Sequence, residues 1–316
     1  MTPKVVALGG GHGLAASLAA LRRVTDQLTA VVTVADDGGS SGRLRREFGC
    51  LPPGDLRMAL SALCGDDDWG RLWREVVQHR FSSTGDLDGH AVGNLLIVAL
   101  WELLGDAVAG LDHVARLLGA QGRVLPMSLT PIDIAAEVLF EGQVDPEYVH
   151  GQVEVATTPG RVVAIHLEPP GPPGCPEAVQ AVDEADWVVL GPGSWFTSVL
   201  PHLLVPDLRA ALMRTPAQRL VALNLVSQPG ETEGFSPETH LDVLVAHAPD
   251  LRLDVVLADE RTTVDPDRLR RVTQALGAEL VLAPVAAPDG TPRHDPTLLG
   301  AAYAAVMTRG RIGPWR

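Results

Sequence analysis

The chain is poor in aromatic residues, poor in cysteine, short of basic charge and free of long apolar runs. Aromatics are only 4% of its 316 residues, so a core has to be built from Val, Leu, Ala and Ile. The three cysteines, Cys50, Cys64 and Cys175, are odd in number and contain no C-x-x-C pair. That pattern argues against a zinc cluster or a disulfide framework and for a reducing compartment. The longest apolar stretch, near 91–104, carries Asn94 and Glu102 and falls short of the ~20 residues that a bilayer span needs. The opening MTPKVVALGGG is too short an apolar run for a signal peptide. A cytoplasmic protein without a membrane span is therefore expected. Lys and Arg number 25 against 39 Asp and Glu, a net charge of −14. Such an acidic surface repels nucleic acid and anionic lipid, so neither is an expected partner.

What is present is an ordinary globular composition, 46% hydrophobic and 20% charged, which excludes wholesale disorder. Short Val/Leu/Ala runs at 4–8, 30–34, 187–190, 220–223, 254–258 and 280–285 read as strands apolar on both faces. Helical patterns at 12–23, 196–213, 239–247, 265–276 and 295–306 alternate with them. The alternation predicts an α/β fold of Rossmann type, with a mostly parallel sheet and right-handed crossovers. Residues 1–316 read as a single domain with a helical insertion or cap at about 50–122. A hairpin is predicted over 150–168, turning at Thr158-Pro159-Gly160. The Pro-Pro-Gly units at 169–174 read as a stiff surface loop.

Candidate chemistry lies in loops that follow strands. GGGHG at 9–13 leads from the first strand into a helix, where Gly10, Gly11, His12 and Gly13 can bring free amides to a phosphate. The dinucleotide fingerprint is imperfect because Leu14 replaces its last glycine, and no P-loop is present. VADDGGSSGRLR at 34–45 follows the second strand. Asp36 and Asp37 there suit a sugar hydroxyl or a hard divalent ion such as Mg²⁺ or Mn²⁺. Gly38, Gly39, Ser40, Ser41 and Gly42 can form an anion nest, with Arg43 adding charge-assisted bonds. In PPGDLR at 52–57, Asp55 reads as a helix cap and Arg57 points towards the preceding loop. In DGHAVGNLL at 88–96, His90 and Asn94 share a helix face. GPGSWFTSVLP at 191–201 repeats the anion-cradle pattern with Gly191, Gly193 and Ser194. NLVSQPGETEG at 224–234 starts with Asn224 at a strand end and carries Gln228 and Glu231 on a loop that can close over the crevice. No Ser-His-Asp or Cys-His set is marked, so no catalytic residue is named.

These stretches, in this order and over most of the chain, resemble the CofD-like proteins and within them the gluconeogenesis-factor (YvcK) branch. The resemblance implies a Rossmann-like fold with its site at the strand carboxyl ends. It also implies a factor that binds a nucleotide sugar such as UDP-N-acetylglucosamine or UDP-glucose and regulates cell shape and cell-wall metabolism during gluconeogenic growth. The CofD branch instead implies a metal-dependent transferase that passes a 2-phospho-L-lactyl group from a guanosine diphosphate donor to a deazaflavin. The strings DDGGSSGRLR and PPGDLR favour the first branch. His12 departs from the family's usual Thr, and Met58 from its usual Asn. On this reading, amides of 10–13 and 192–194 hold a diphosphate, Asp36 and Asp37 take ribose, sugar or metal, and Arg43, Arg57 and Asn94 close the site. The sequence leaves homo-oligomer formation open.

Overall fold

The computed structural model describes residues 2–228 and 230–308. The first βαβ unit is β1 (Lys4–Gly9), α1 (Gly11–Leu21) and β2 (Gln27–Val32). From β2 the chain runs through α2 (Gly39–Phe48), α3 (Gly54–Ala62), α4 (Asp68–Gln78), α5 (Val92–Leu104) and α6 (Ala107–Leu118) before β3 (Arg123–Pro126). A small sheet follows, with β4 (Asp133–Leu139), β5 (Glu147–His150), α7 (Gln152–Thr157) and β6 (Arg161–Glu168). The chain then returns to the main sheet through α8 (Pro176–Asp183) and β7 (Trp187–Leu190). After it come α9 (Pro206–Arg214), β8 (Gln218–Ala222), α10 (Pro237–His247), β9 (Val255–Asp259), α11 (Pro266–Ala275), β10 (Glu279–Ala283) and α12 (Pro296–Thr308).

The main sheet has seven strands in the order β10-β9-β8-β7-β1-β2-β3, and every pairing in it is parallel. Its middle strands β1 and β7 are buried along almost their whole length, as strands covered by helices on both faces must be. The fold is thus the α/β arrangement that the alternating pattern predicts. β1 lies between β2 and β7, and the sheet is built outwards from it in both directions. The carboxyl ends of β1 and β7 therefore flank a topological switch point, where open α/β sheets hold ligands. No helix among the described residues is long and apolar enough to cross a membrane.

Three local expectations are corrected. The segment 150–168 is not one hairpin: β6 pairs antiparallel with β4, and Gln152–Thr157 is helical. The alternating valines of that stretch instead bury Val155, and the Asp37 carboxylate accepts the Val153 amide at 3.2 Å, a cap supplied from far away in sequence. The single helix expected over 196–213 is broken into a π-helical turn (Trp195–Val199), a 3₁₀ turn (Leu200–Leu204) and α9. Pro201 and Pro206 lack the amides that a continuous helix would use, and each sits at the start of a new segment. The Gly/Ser run after Asp37 is not a nest either. It becomes the first turns of α2, with Ser40 and Ser41 buried.

His202, on the 3₁₀ turn, ties the broken segment to the sheet. It is fully buried, with Nε2 3.0 Å from the Val31 carbonyl and Nδ1 3.3 Å from that of Val199. Burial pushes its pKa from 6.5 down to about 4, and His294 is lowered to about 4 by burial as well. Both pKa values are depressed on folding, so the stability that they contribute is complete above pH 6.5 and is lost as pH falls towards 4. An NMR titration should find His202 neutral down to about pH 4; an ordinary midpoint near 6.5 would contradict the burial described.

Candidate functional site

The carboxyl edge of β1 turns directly into α1 through Gly10–Gly13. Gly11 adopts φ +54°, a conformation that glycine tolerates without steric cost. The first intrahelical bond runs from the Leu14 amide to the Gly10 carbonyl at 3.2 Å. The amides of His12 and Gly13 precede it and have no intrahelical acceptor. The second corner, Gly191–Ser194, follows the neighbouring strand β7. A Cβ on Gly13 would overlap the Pro192 carbonyl oxygen and the Gly193 Cα. The two corners therefore meet backbone to backbone.

Much of the second corner's bonding capacity is used by the protein itself. The Gly193 amide donates to Asn224 Oδ1 at 2.9 Å, and Asn224 Nδ2 donates to the Gly193 carbonyl at 2.8 Å. Glu231 Oε1 accepts from the Phe196 amide at 2.8 Å, the Thr197 amide at 3.1 Å and the Ser194 hydroxyl at 2.5 Å. Glu231 is buried, and burial raises its pKa against the pull of those bonds. The expectation that amides of 192–194 hold a diphosphate is corrected for Pro192, which has no N–H to donate, and for Gly193, whose amide Asn224 takes from behind. Pro229, in the loop that delivers Glu231, lies outside the described residues.

The two consecutive aspartates face different partners. Asp37 caps α7, as described above. Asp36 Oδ1 accepts the Gly38 amide at 3.0 Å, and its Oδ2 lies 2.9 Å from where a Gly54 Cβ would stand. Asp55 is not the N-cap of α3, a position held by Pro53. Its carboxylate reaches the first corner instead, bonding the Gly11 amide and standing 2.5 Å from where a Gly10 Cβ would be. Burial first, and then the charge of Asp36, raise Asp55 to about 7. The acidic pair of the site is thus Asp36 with Asp55. Among the described residues no group of three or more His, Cys, Asp or Glu is arranged to hold a metal ion. Two carboxylates alone suit Mg²⁺ or Mn²⁺ only when ligand phosphates and water complete the shell.

Four other sequence candidates form one network. Ser40 Oγ lies 3.0 Å from His90 Nδ1 and accepts from Asn94 Nδ2 at 3.0 Å. Asn94 Oδ1 accepts from Arg57 Nε at 2.9 Å, and Arg57 Nη1 donates to Gln78. Burial, then the nearby Arg43 charge, lowers the His90 pKa. This chain fixes α2 to α3 and α5, so these residues position the Asp36 and Asp55 backbones. Arg43 is spent on loop carbonyls, Asp86 at 3.3 Å and Asp88 at 2.5 Å.

Beside the second corner, at the ends of β8 and β9, a cavity of about 410 Å³ is lined by Asn224, Phe235, His240 and Asp259 among others. His240 Nδ1 lies 2.9 Å from the Ser236 carbonyl, while its buried Nε2 has no partner. The buried Trp195 Nε1 and Gln228 Oε1 are unpartnered too. Asp259 ends β9 as Asp36 follows β2. Burial works to raise its pKa, but the amides of Val285, Ala286, Arg261 and Thr262 outweigh it and hold the carboxyl low. Sequence reading overlooked Asp259, although its place at a strand's carboxyl end was a signal.

A family model described as 2-phospho-L-lactate transferase CofD matches residues 5–283. A putative gluconeogenesis factor from Mycobacterium tuberculosis is 54% identical over 98% of this chain and 92% of its own length. The chain is a member of the CofD family. Within that family it belongs with the gluconeogenesis factors: the Bacillus subtilis gluconeogenesis factor is 36% identical over 85% of this chain and 82% of its own. A crystal structure of a UPF0052-family protein from Bacillus halodurans superposes with a TM-score of 0.83 at 32% identity, covering 96% of this chain and 99% of that one.

Two substitutions test this CofD-family site. Gly13→Ala should cost about 1–3 kcal/mol through the forced backbone shift, read as a lower urea midpoint at unchanged slope. Asp55→Asn should raise the melting temperature. Because the folded pKa lies above the ordinary value of 3.8, the gain is full above about pH 7 and shrinks as pH falls towards 3.8. A melting temperature unchanged at pH 8 would show that Asp55 is solvated.

Proposed function

We propose that the chain is a regulatory binding factor whose ligand is a nucleotide diphosphate sugar, of the UDP-N-acetylglucosamine or UDP-glucose kind, lying across the β1/β7 switch point. One observation carries this reading: the corner Gly10–Gly13, with the His12 and Gly13 amides free of intrahelical acceptors, is locked against Gly191–Gly193, with an acidic pair on one side and a cavity lined by His240, whose buried Nε2 is unpartnered, on the other. The His12 and Gly13 amides would take phosphate oxygens. Base or sugar would fill the cavity, where His240 Nε2 has bonding capacity to offer.

A phosphate at this corner meets the Asp55 carboxylate, so binding needs a counter-charge. A divalent cation such as Mg²⁺ would neutralise the carboxylates and phosphates together, with Asp36 and Asp55 as its protein ligands. A role in cell-wall metabolism and cell shape during gluconeogenic growth is part of the same proposal, supported by the name shared among the relatives. The Asp36–Asp55 pair also suits a metal-dependent transferase, since phosphoryl-type chemistry requires mainly positioning and charge neutralisation.

A thermal-shift series with UDP-N-acetylglucosamine, UDP-glucose and GDP, each with and without Mg²⁺, separates the readings. At ligand concentrations ~100 times Kd, stabilisation of about 2.7 kcal/mol is expected. UDP-sugars should stabilise the protein in a Mg²⁺-dependent way without turnover, and Asp36→Asn should remove the Mg²⁺ dependence. Selective stabilisation by GDP, with GMP release when a phospholactyl donor and a deazaflavin are supplied, would establish the transferase instead. No stabilisation by any nucleotide would overturn both.

A further inference from the structure

Away from the switch-point crevice, a second cavity of about 690 Å³ lies between α1, α3 and α4, with Pro296 of α12 at its rim. His12, Ala15, Ala19, Arg22 and Arg23 supply one face of α1 to it, so His12 turns its side chain here and leaves only its amide to the glycine corner. The cavity follows α1 for ~16 Å at about 1.5 Å per residue, which takes its far end well away from Gly10–Gly13. Arg22, Arg23, Arg57, Arg74 and Arg80 all line it, against a single carboxylate, Asp66. In a chain of net charge −14, this is a local inversion of sign that concentrates anions.

The five arginines are not neutralised from within. Asp66 is shared, 2.5 Å from Arg22 and 3.4 Å from Arg74. Arg57 is only 4% exposed, yet its bonds go to the neutral amides of Asn94 and Gln78. Burial, and next the charge of Arg80, lower its pKa to about 10 against the pull of the Asp55 and Asp36 charges. Arg80 donates to the Gly89 carbonyl, and among the described residues neither it nor Arg23 has an acidic partner. The Arg22 side chain is 7% exposed and its Nε has no hydrogen-bond partner. Five guanidinium groups line this cavity with one carboxylate among them, and guanidinium forks match the paired oxygens of phosphate and carboxylate.

We propose that this cavity is a second anion-binding site, distinct from the nucleotide crevice, that takes a small anion bearing two or more phosphate or carboxylate groups. Arg22 is held by Asp66 and Gln121 Oε1, and Arg74 by Asp66 and backbone carbonyls, and both shape the pocket; Arg57 is balanced in part by Asp55 and Asp36, while Arg23 and Arg80 carry the uncompensated charge.

Calorimetric titration with inorganic pyrophosphate and, separately, with citrate tests the site in EDTA, where no divalent ion can recruit either anion to Asp36 and Asp55. The double variant Arg23→Gln/Arg80→Gln changes two exposed residues, and its melting temperature checks that it folds. The wild type should bind at least one of the two anions, and the variant should bind that anion at least tenfold more weakly. Binding of pyrophosphate alone assigns phosphate as the ligand group, and binding of citrate alone assigns carboxylate. UDP-N-acetylglucosamine affinity measured with Mg²⁺ should be the same in both proteins. The proposal is overturned if neither anion binds the wild type, if the variant binds as tightly, or if it loses the anion and the UDP-sugar together, which would make the cavity part of the crevice. Should the UDP-sugar bind neither protein, the nucleotide reading fails while the anion comparison still decides this one.

Discussion

The contact between Gly13 and the Pro192–Gly193 backbone is the constraint around which the site is arranged. It joins the turn after β1 to the turn after β7 with no side chain between them, which is possible only because Gly13 has no Cβ, while Gly193 is held at φ +146°, a conformation that favours glycine. The amide-bearing end of α1 is thereby fixed relative to the second half of the sheet. Asn224 then holds Gly193 through both its amide and its carbonyl, so β8 is tied to the same point.

Charge is placed around that contact in a consistent way. At each glycine corner a carboxylate of the protein already faces the amides, Asp55 at the first and Glu231 at the second. Both are raised by burial, the expected cost of holding an acid where solvent is scarce. Perturbed carboxyls gathered in a crevice are common where proteins bind or react with ligands. The positive charge lies one layer back, along α1 and α3, so the molecule keeps anion-attracting and cation-attracting regions on different sides of the same helices.

The fold class was legible because buried parallel strands read as short Val/Leu runs, and six such runs are strands of the main sheet. The small sheet was harder to see. β4 is buried at most positions, but β5 is largely exposed and carries no apolar signature, and the valines of α7 imitate a strand. For the site, sequence marked loops that the fold gathers near the switch point, but not the bonds made within them. Asp36 and Asp37 are adjacent in the chain, and only the tertiary fold sends one to Asp55 and the other to α7. Ser40, Arg57, His90 and Asn94 were read as facing a ligand; that they bond one another follows from how α2, α3 and α5 pack, which no local pattern encodes. The arginine cavity was invisible for the same reason, its members being spread from position 22 to position 80.

The divergence of the two aspartates has a mechanical corollary. Their Cα atoms are ~3.8 Å apart across one peptide unit, so a rotation that re-aims Asp36 tugs on the residue that anchors the Val153 amide in the first turn of α7. The antiparallel ribbon of β4, β5 and β6 is thus geared to the acidic side of the crevice through a single peptide plane, and its outer face would register whatever alters the posture of Asp36.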